Sequence, residues 1–351
     1  LSDVSEKNGE FSVFGASGYI GSVDFYQQGY PYVAVVKDGA GIGRAMLCPG
    51  KTSVIGTMQY LLPKDNILPK YLFYVVKYMN LEKYFTGATI PHIYFKDYKN
   101  EEFNFDFWER QVEIVSVLSK CEKVIDLCKQ ELQLLDKLIK ARFVELFGDP
   151  VSNSYGLPEA TLPDLGEFGR GVSKHRPRND IKLLGGKYPL IQTGDVANAG
   201  LYITSYSSTY SELGLKQSKM WDKGTLCITI AANIAKTAIL EFDACFPDSV
   251  VGFIANERTN NIFVHYWFSF FQAILESQAP ESAQKNINLK ILSELKVIVP
   301  EKRKQDQFAS FVKLTDKSGF VERFPEFSLF YRLFSPLDSE MICIFPYFCP
   351  Y

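Results

Sequence analysis

Residues 108–147 read WERQVEIVSVLSKCEKVIDLCKQELQLLDKLIKARFVELF and predict one long helix around which the chain is organised. This stretch contains no glycine or proline, and Gly148 and Pro150 follow it in the order typical of a helix end. A helix of about 40 residues would extend about 60 Å. One alternative is a core helix of a single domain, but its length and its apolar heptads favour a spacer that pairs with another helix. The seam residues are Leu118, Cys121, Ile125, Cys128, Leu132, Leu135 and Ile139.

The sequence on one side of this helix repeats on the other. Residues 92–118 align without gaps to residues 286–312, so that Ile93 matches Ile287 and Gln111 matches Gln305. Further upstream, GEFSVF (9–14) aligns to GKYPLI (186–191), and SVIGTMQYLLP (53–63) resembles SVVGFIANE (249–257). The order of these matches is the same along the whole repeat, which predicts two copies of one domain, each followed by a long helix.

Each copy is rich in short apolar segments bounded by glycine, proline or asparagine, which predict strands. These segments are 30–36, 57–62, 225–231 and 238–242, and buried helices are predicted at 68–85 and 261–275. The predicted boundaries are a first domain at 1–106, a spacer helix at 107–149, a second domain at 150–300, the start of a second spacer helix at 301–318 and an atypical tail at 319–351.

Composition indicates a globular protein, with 46% apolar residues, 22% charged residues and a net charge of −2. No apolar run is long enough for a membrane span. The seven cysteines are scattered and form no C-x-x-C pair, so we expect a reducing cytoplasmic setting without disulfides. The three histidines are also far apart, and no metal site is predicted.

Two glycine-rich stretches fall short of nucleotide-binding motifs. GAGIG (39–43) is followed by Arg44 where G-x-G-x-x-G needs glycine, and PGKT (49–52) has Ala45 where the phosphate loop needs glycine. The Asn/Asp-Pro-Pro-aromatic motif of amino-methyltransferases does not occur. Asp248 with Glu294 and Lys296 resembles a nuclease carboxylate set only superficially, because the spacing is wide. No catalytic residue is predicted.

Positive charge is concentrated in one region of this slightly acidic chain. SKHRPRND (173–180) holds three strong bases and a histidine, and residues 170–223 carry nine Lys or Arg against four Asp or Glu. Glutamine, asparagine, tyrosine and serine are interleaved with these bases. Lys and Arg suit phosphates, while Gln, Asn and Arg can pair with base edges. The simpler alternative is a solvated loop, to which short basic runs usually belong.

Several motifs resemble, in the same order, the DNA-specificity subunit of type I restriction–modification systems. They include GVSKHRPRN (171–179), YPLIQTGDVANAG (188–200), FDACFPDSVVGF (242–253) and ARFVELFGDP (141–150). The resemblance covers about residues 9–318 and does not extend over 319–351. It implies an α+β fold in which two similar β-rich target-recognition domains are separated by long coiled-coil helices.

The resemblance also implies a non-catalytic subunit that binds double-stranded DNA, each domain reading one half of a bipartite target. Two methyltransferase subunits would dock on the helices, and motor–nuclease subunits would join them. This chain would hold no cofactor; S-adenosylmethionine, ATP and Mg²⁺ are expected on the partner subunits. A coiled-coil scaffold that does not bind DNA is the alternative, and an enzyme acting on DNA is a third hypothesis.

The candidate site residues fall into three groups. For DNA contact in the second domain they are Lys174, His175, Arg176, Arg178, Gln192, Thr193 and Lys219. For DNA contact in the first domain they are Ser17, Tyr19, Lys37 and Arg44. For helix pairing and subunit docking they are Leu118, Ile125, Leu132, Leu135 and Ile139.

Overall fold

The long heptad segment is a single helix. The computed structural model describes residues 9–87, 91–231, 234–278 and 287–315, and in it α3 runs without interruption over Trp108–Phe147. Helices α1 and α2, which precede it, are Pro69–Tyr78 and Phe95–Tyr98. The predicted tail at 319–351, the last three residues of the predicted second spacer helix and residues 1–8 lie outside the described residues.

The chain divides into two units within α3, Leu1–Cys128 (unit 1) and Lys129–Tyr351 (unit 2). Unit 1 contains two three-stranded sheets, in the orders β2-β1-β5 and β4-β3-β6. Its strands are β1 Phe11–Gly15, β2 Gly18–Val23, β3 Tyr32–Val36, β4 Ala45–Cys48, β5 Ser53–Val54 and β6 Met58–Leu61.

Unit 2 has a five-stranded sheet, β10-β14-β13-β16-β8, a four-stranded sheet, β11-β9-β15-β12, and the pair β17-β7. Its strands are β7 Glu159–Ala160, β8 Gly166–Arg170, β9 Leu184–Leu190, β10 Tyr202–Ile203, β11 Ser208–Tyr210, β12 Met220–Trp221, β13 Leu226–Thr229, β14 Thr237–Leu240, β15 Ala244–Cys245, β16 Val250–Ala255 and β17 Val297–Ile298. Its helices are α4 Leu162–Leu165, α5 Thr193–Asn198, α6 Glu212–Lys216, α7 Asn261–Gln278, α8 Leu289–Glu294 and α9 Lys302–Leu314.

Strand pairing follows the same plan in both units. In unit 1, β3 lies between β4 and β6, and in unit 2, β13 lies between β14 and β16; all four pairings are antiparallel. The other sheet of each unit contains a parallel pair, β1 with β5 and β9 with β15. The predicted duplication is therefore present in the backbone, and the two β-rich units with their long helix confirm the predicted α+β class.

Hydrogen bonds fix which residues correspond. Ile93 N–H donates to the carbonyl of Lys37 over 2.9 Å, and Ile287 N–H donates to that of Ile230 over 3.0 Å, which confirms the predicted match of the two isoleucines. The predicted alignment of 53–63 to 249–257 is displaced. Met58 pairs with Val36, and the corresponding pair in unit 2 is Val250 with Thr229, so a different register relates these strands.

A buried glutamine occupies the same place in each unit. Gln111 accepts a hydrogen bond from Leu68 N–H and donates to the carbonyls of Asn66 and Asp106, each over 2.9 Å. Gln305 accepts from the Thr259 hydroxyl over 2.9 Å and donates to two carbonyls, those of Arg258 and Pro300. Both side chains are fully buried, which explains why glutamine recurs at this step of the repeat.

The four predicted strands are present close to their predicted positions, as β3, β6, β13 and β14. The helix predicted at 261–275 is α7, but the helix predicted at 68–85 is too long. It ends at Tyr78 because Asn80 adopts a left-handed conformation (φ 47°), and a 3₁₀ turn at Leu81–Tyr84 follows. Within the described part of the chain, no helix combines the length and apolar character that crossing a membrane requires.

A cluster of aromatic side chains lies in the core of unit 2. Phe143 and Phe147, near the end of α3, are fully buried and contact Phe263 of α7 and Phe308 of α9, with ring centroids 5.1–5.8 Å apart. The last turns of α3 are thus fixed to unit 2 by ring packing, which contributes both buried area and edge-to-face contacts.

Candidate nucleic-acid interface

The basic stretch forms an exposed loop whose base is fixed to a neighbouring turn. We define the basic loop as residues 171–178, directly after β8. Gly171 N–H donates to the carbonyl of Val250 over 2.9 Å, and Val172 N–H donates to that of Phe246 over 3.1 Å. A Cβ atom on Gly171 would lie 2.3 Å from the Phe246 carbonyl oxygen, so only glycine permits this approach. The loop therefore leaves the sheet in a defined direction.

Gln217 fixes the middle of the basic loop. Its Oε1 accepts hydrogen bonds from the backbone N–H groups of Lys174 and His175, over 2.7 and 3.0 Å. The neighbouring Ser218 hydroxyl donates to the carbonyl of Val172 over 2.7 Å. In the sequence, Gln217 is only one of several polar residues among the bases, because nothing local indicates that it bonds to a loop about 40 residues away.

Asp248 lies against both arginines of the loop. Its Oδ2 accepts a hydrogen bond from Arg176 Nη2 over 3.3 Å, and its Oδ1 accepts one from Arg178 Nη2. Arg176 Nη1 also donates to the carbonyls of Ser173 and His175, over 2.6 and 2.8 Å. Several donors of Arg176 thus form hydrogen bonds within the protein, whereas more donors of Arg178 remain available to a ligand.

The remaining cations of the cluster differ in their surroundings. His175 Nε2 lies 3.1 Å from Asp180 Oδ2, and the pKa of this carboxyl is lowered by hydrogen bonds from the Lys182 backbone N–H and the His175 ring. Lys219 Nζ lies 2.9 Å from Glu167 Oε1 and 3.7 Å from the centre of the Trp221 ring. Lys174 is exposed and, among the described residues, faces no carboxylate partner.

The topology brings Gln192, Thr193 and Lys219 to one edge of the four-stranded sheet. Strands β9 and β15 are parallel, so Gln192 and Phe246 both follow strand ends at this edge. Strand β12 is antiparallel to β15, so Lys219, which precedes β12, lies at the same edge. Because Phe246 bonds to the start of the basic loop, the predicted residues of the second domain share one end of unit 2.

The four candidates of unit 1 are divided between two sheets. Ser17 and the 63% exposed Tyr19 lie at the β1–β2 hairpin. Lys37 and Arg44 lie at the β3–β4 hairpin of the other sheet, where Arg44 is exposed. A Cβ atom on Gly41 would lie 2.1 Å from Arg44 Nη2, so the guanidinium rests on a glycine that leaves space for it. Phe14 and Ala16 of the first hairpin pack against an apolar cluster that includes Val36 and Cys48 of the second, so the two hairpins share one core cluster.

The predicted docking residues are unequally exposed. Ile139 is 1% exposed and lies in the aromatic core of unit 2, so its side chain serves the core instead of an exposed docking face. Ile125 is also buried, whereas Leu118, Leu132 and Leu135 are partly exposed. Other apolar side chains of α3 are more exposed than these; they are Val112, Val117, Val124, Leu127, Leu134, Leu138 and Val144.

The described residues contain no group of three or more His, Cys, Asp or Glu side chains that could hold a metal ion. Asp248, the acidic residue considered for a nuclease site, is instead paired with the two arginines of the basic loop. The arrangement can bind an anion, and its exposed donors are suited to phosphate oxygens and base edges.

Comparison with known proteins identifies the family. The model of the type I restriction modification DNA specificity domain matches residues 2–137 and 159–320. The chain belongs to this family. The two matched segments agree with the two units of the repeat. The prediction of a DNA-specificity subunit is confirmed at this level, together with its non-catalytic class.

Named relatives are distant but consistent. A Methanocaldococcus jannaschii protein, provisionally named type I restriction enzyme MjaX specificity subunit, is 22% identical over 299 residues, 80% of this chain and 70% of the relative. The type I restriction enzyme MjaIX specificity subunit of the same organism is 26% identical over 46% of this chain and 40% of its own length. A crystal structure of the type I restriction–modification system S subunit from M. genitalium has a TM-score of 0.58 and 17% identity, covering 95% of this chain and 88% of that chain; it supports the fold.

Proposed function

We propose that this chain selects the DNA target of a type I restriction–modification complex in the cytoplasm, with each unit reading one half of a bipartite double-stranded site. The observation that carries the proposal is the ordered basic loop of unit 2. Gln217 and the 246–250 turn fix its backbone, and Lys174 and Arg178 project from it. A preorganised cationic loop pays less conformational entropy on binding DNA than a mobile one.

Roles follow from the surroundings of each side chain. Lys174, Arg176 and Arg178 would contact phosphates or base edges, and Arg176 would also hold the loop in shape through its Nη1. Gln192 and Lys219, at the same sheet edge, would extend the contact surface. In unit 1, Ser17, Tyr19, Lys37 and Arg44 would contact the other half-site. Lys and Arg position the protein on the backbone, while bidentate side chains read bases.

The partners belong to the same proposal. Two methyltransferase subunits would dock on the helices, with Leu118, Leu132 and Leu135 the most accessible of the predicted contacts. Motor–nuclease subunits would complete the complex. S-adenosylmethionine, ATP and Mg²⁺ would be bound by these partners. A double substitution of Leu132 and Leu135 by Ser should reduce co-purification of the methyltransferase subunits, and unchanged assembly would contradict the docking role.

The DNA contact is tested by replacing Arg176 and Arg178 together with Ala. We expect about a tenfold or greater loss of affinity for DNA, and a salt dependence shallower by about 0.9 in log–log slope for each lost phosphate contact. Fluorescence anisotropy over a salt series measures both. The matched control is the Lys290→Ala/Lys313→Ala pair, which removes the same charge from exposed positions on α8 and α9. Equal behaviour of the two double variants would contradict the proposed interface.

A further inference from the structure

A single carboxylate bridges the two arginines of the basic loop. Asp248 lies in the turn between β15 and β16, which is closed by a hydrogen bond from Val250 N–H to the carbonyl of Pro247 over 3.0 Å. One carboxylate oxygen faces Arg176, and the other faces Arg178. The charge at this point is therefore two cations against one anion.

This carboxylate is not needed to attach the loop. The loop is already fixed by backbone hydrogen bonds from Gly171 and Val172 and by the double acceptor Gln217. The arginine side chains remain 54% and 46% exposed, and that of Asp248 is 34% exposed. Ion pairs this open to water are individually weak, so a competing anion can displace the carboxylate.

A DNA phosphate presents the same chemistry to these donors. Its two free oxygens can accept hydrogen bonds from two guanidinium groups, as the two oxygens of Asp248 do here. We propose that Asp248 is an internal competitor that occupies Arg176 and Arg178 until DNA displaces it, and so keeps the affinity for random DNA low. This inference rests on the proposed function and names how the basic loop limits binding to random DNA.

Random and target duplexes differ in the contacts that they form with the chain when they replace the Asp248 carboxylate. Any duplex can supply a phosphate, but it must displace the carboxylate and so gains little from the two arginines. A target duplex adds base contacts, which offset the displacement. Because the cost of displacing Asp248 is the same for every duplex, the carboxylate lowers all affinities by a similar factor. At a given concentration of the chain, a random duplex then stays largely unbound, whereas a target duplex still binds through its added base contacts.

The test is Asp248→Asn in the full chain, which keeps the side-chain shape and removes the negative charge. The probes are a labelled duplex of randomised sequence and the duplex that the unchanged chain selects from a randomised pool. We expect affinity for the randomised duplex to rise about threefold to tenfold at low salt, and its log–log salt slope to steepen by about 0.9. Affinity for the selected duplex should rise by a similar factor, so Asp248→Asn should bind the randomised duplex at concentrations at which the unchanged chain binds only the selected one.

The matched control is Glu294→Gln, which removes one exposed carboxylate from α8, where Glu294 faces Lys290 over 3.8 Å. If Glu294→Gln changes binding as much as Asp248→Asn, only net charge matters and the inference is wrong. Weaker binding of the randomised duplex by Asp248→Asn would also overturn it, because Asp248 would then support the bound loop. A circular-dichroism melt of each variant separates a folding defect from either result.

A double-mutant cycle distinguishes this inference from the proposed function. The gain from Asp248→Asn should vanish when Arg176 and Arg178 are already Ala, since the competitor then has nothing to occupy. If the arginine variant weakens DNA binding but Asp248→Asn does not strengthen it, the competitor role of Asp248 is wrong, whereas the proposed DNA interface is supported. If the arginine variant binds as well as the unchanged chain, both the interface and the competitor are wrong.

Discussion

Units 1 and 2 share a framework and differ in what is attached to it. Both have a central strand between two antiparallel neighbours, a parallel strand pair and a buried glutamine at the start of a helix. Unit 2 adds β8 beside β16, and the basic loop follows directly from β8. It also adds β12, which is preceded by Gln217 and Lys219. Among the described residues of unit 1, neither strand has a counterpart.

The two units agree where polar groups are buried and differ where loops are exposed. Backbone hydrogen bonds at the strand ends recur in both units, and each buried glutamine donates to two backbone carbonyls, because buried polar groups have few ways to be satisfied. The exposed loops meet no such requirement and can change their charge and length. Divergent loops on a matched framework suit a protein whose two units would read different half-sites.

We expect the largest loss of stability from Phe143→Ala, which tests whether each unit is stabilised by its own core. Phe143 is fully buried among Phe147, Phe263, Phe270 and Phe308, so truncation should leave a cavity and destabilise unit 2 by about 3–5 kcal/mol. Hydrogen exchange followed by mass spectrometry should show lost protection in unit 2 and little change in residues 9–87.

The control for that experiment is Leu134→Ala on the same helix, where the side chain is 62% exposed. It should change stability by less than about 0.5 kcal/mol, as surface substitutions usually do. Equal loss of protection in both units after Phe143→Ala would show that they unfold together, and the picture of two self-contained cores would fail.

Substitution of the two buried glutamines tests whether they have the same role in their units. Gln305→Leu and Gln111→Leu each remove three hydrogen bonds of a fully buried side chain and leave their buried or half-buried partners unsatisfied. Each should destabilise its own unit by about 3 kcal/mol, because an unpaired buried group costs about 1–3 kcal/mol. Urea unfolding monitored by exchange in each unit gives the two values. Gln130→Leu, at an exposed position of α3, is the control.

Similar losses of unfolding free energy in the two units would show that the two glutamines stabilise their units in the same way. A loss in one unit and none in the other would mean that one network is replaced by water or by a local shift, and that the hydrogen-bond match overstates the likeness of the two units.

The sequence predicts features that depend on local pattern. The period of the apolar residues located α3, and the order of short matches located the repeat, including Ile93 with Ile287 and Gln111 with Gln305. The contacts that shape the basic loop could not be predicted this way. Asp248 lies 70 and 72 residues from its two arginines, and which strand ends meet depends on the whole sheet. The helix predicted at 68–85 was too long because its apolar pattern continues past the left-handed Asn80.

A smaller effect is expected at the hairpin turns that join the central strands to their neighbours. Gly43 N–H donates to the carbonyl of Val36, as Ala235 N–H does to that of Thr229, so the two positions correspond. Gly43 has φ 78°, and a Cβ atom there would lie 2.5 Å from Glu82 N. Gly43→Ala should therefore destabilise unit 1 by about 2 kcal/mol. Gly56→Ala, where a Cβ atom meets nothing within 4 Å, is the control in the same denaturation assay.

The smallest effect is expected from the reverse change in unit 2, Ala235→Gly. Ala235 has φ 57°, so glycine relieves a left-handed strain of about 1–2 kcal/mol. Ala235 is buried, so loss of its methyl group costs about 0.8 kcal/mol, and glycine adds entropy to the unfolded chain. These contributions nearly cancel, so the free energy of unfolding of unit 2, measured by urea denaturation, should change by less than about 0.5 kcal/mol. A loss of stability above about 2 kcal/mol would mean that packing of the Ala235 methyl group stabilises the turn in unit 2. The same backbone conformation would then depend on side-chain packing in unit 2 and on glycine in unit 1.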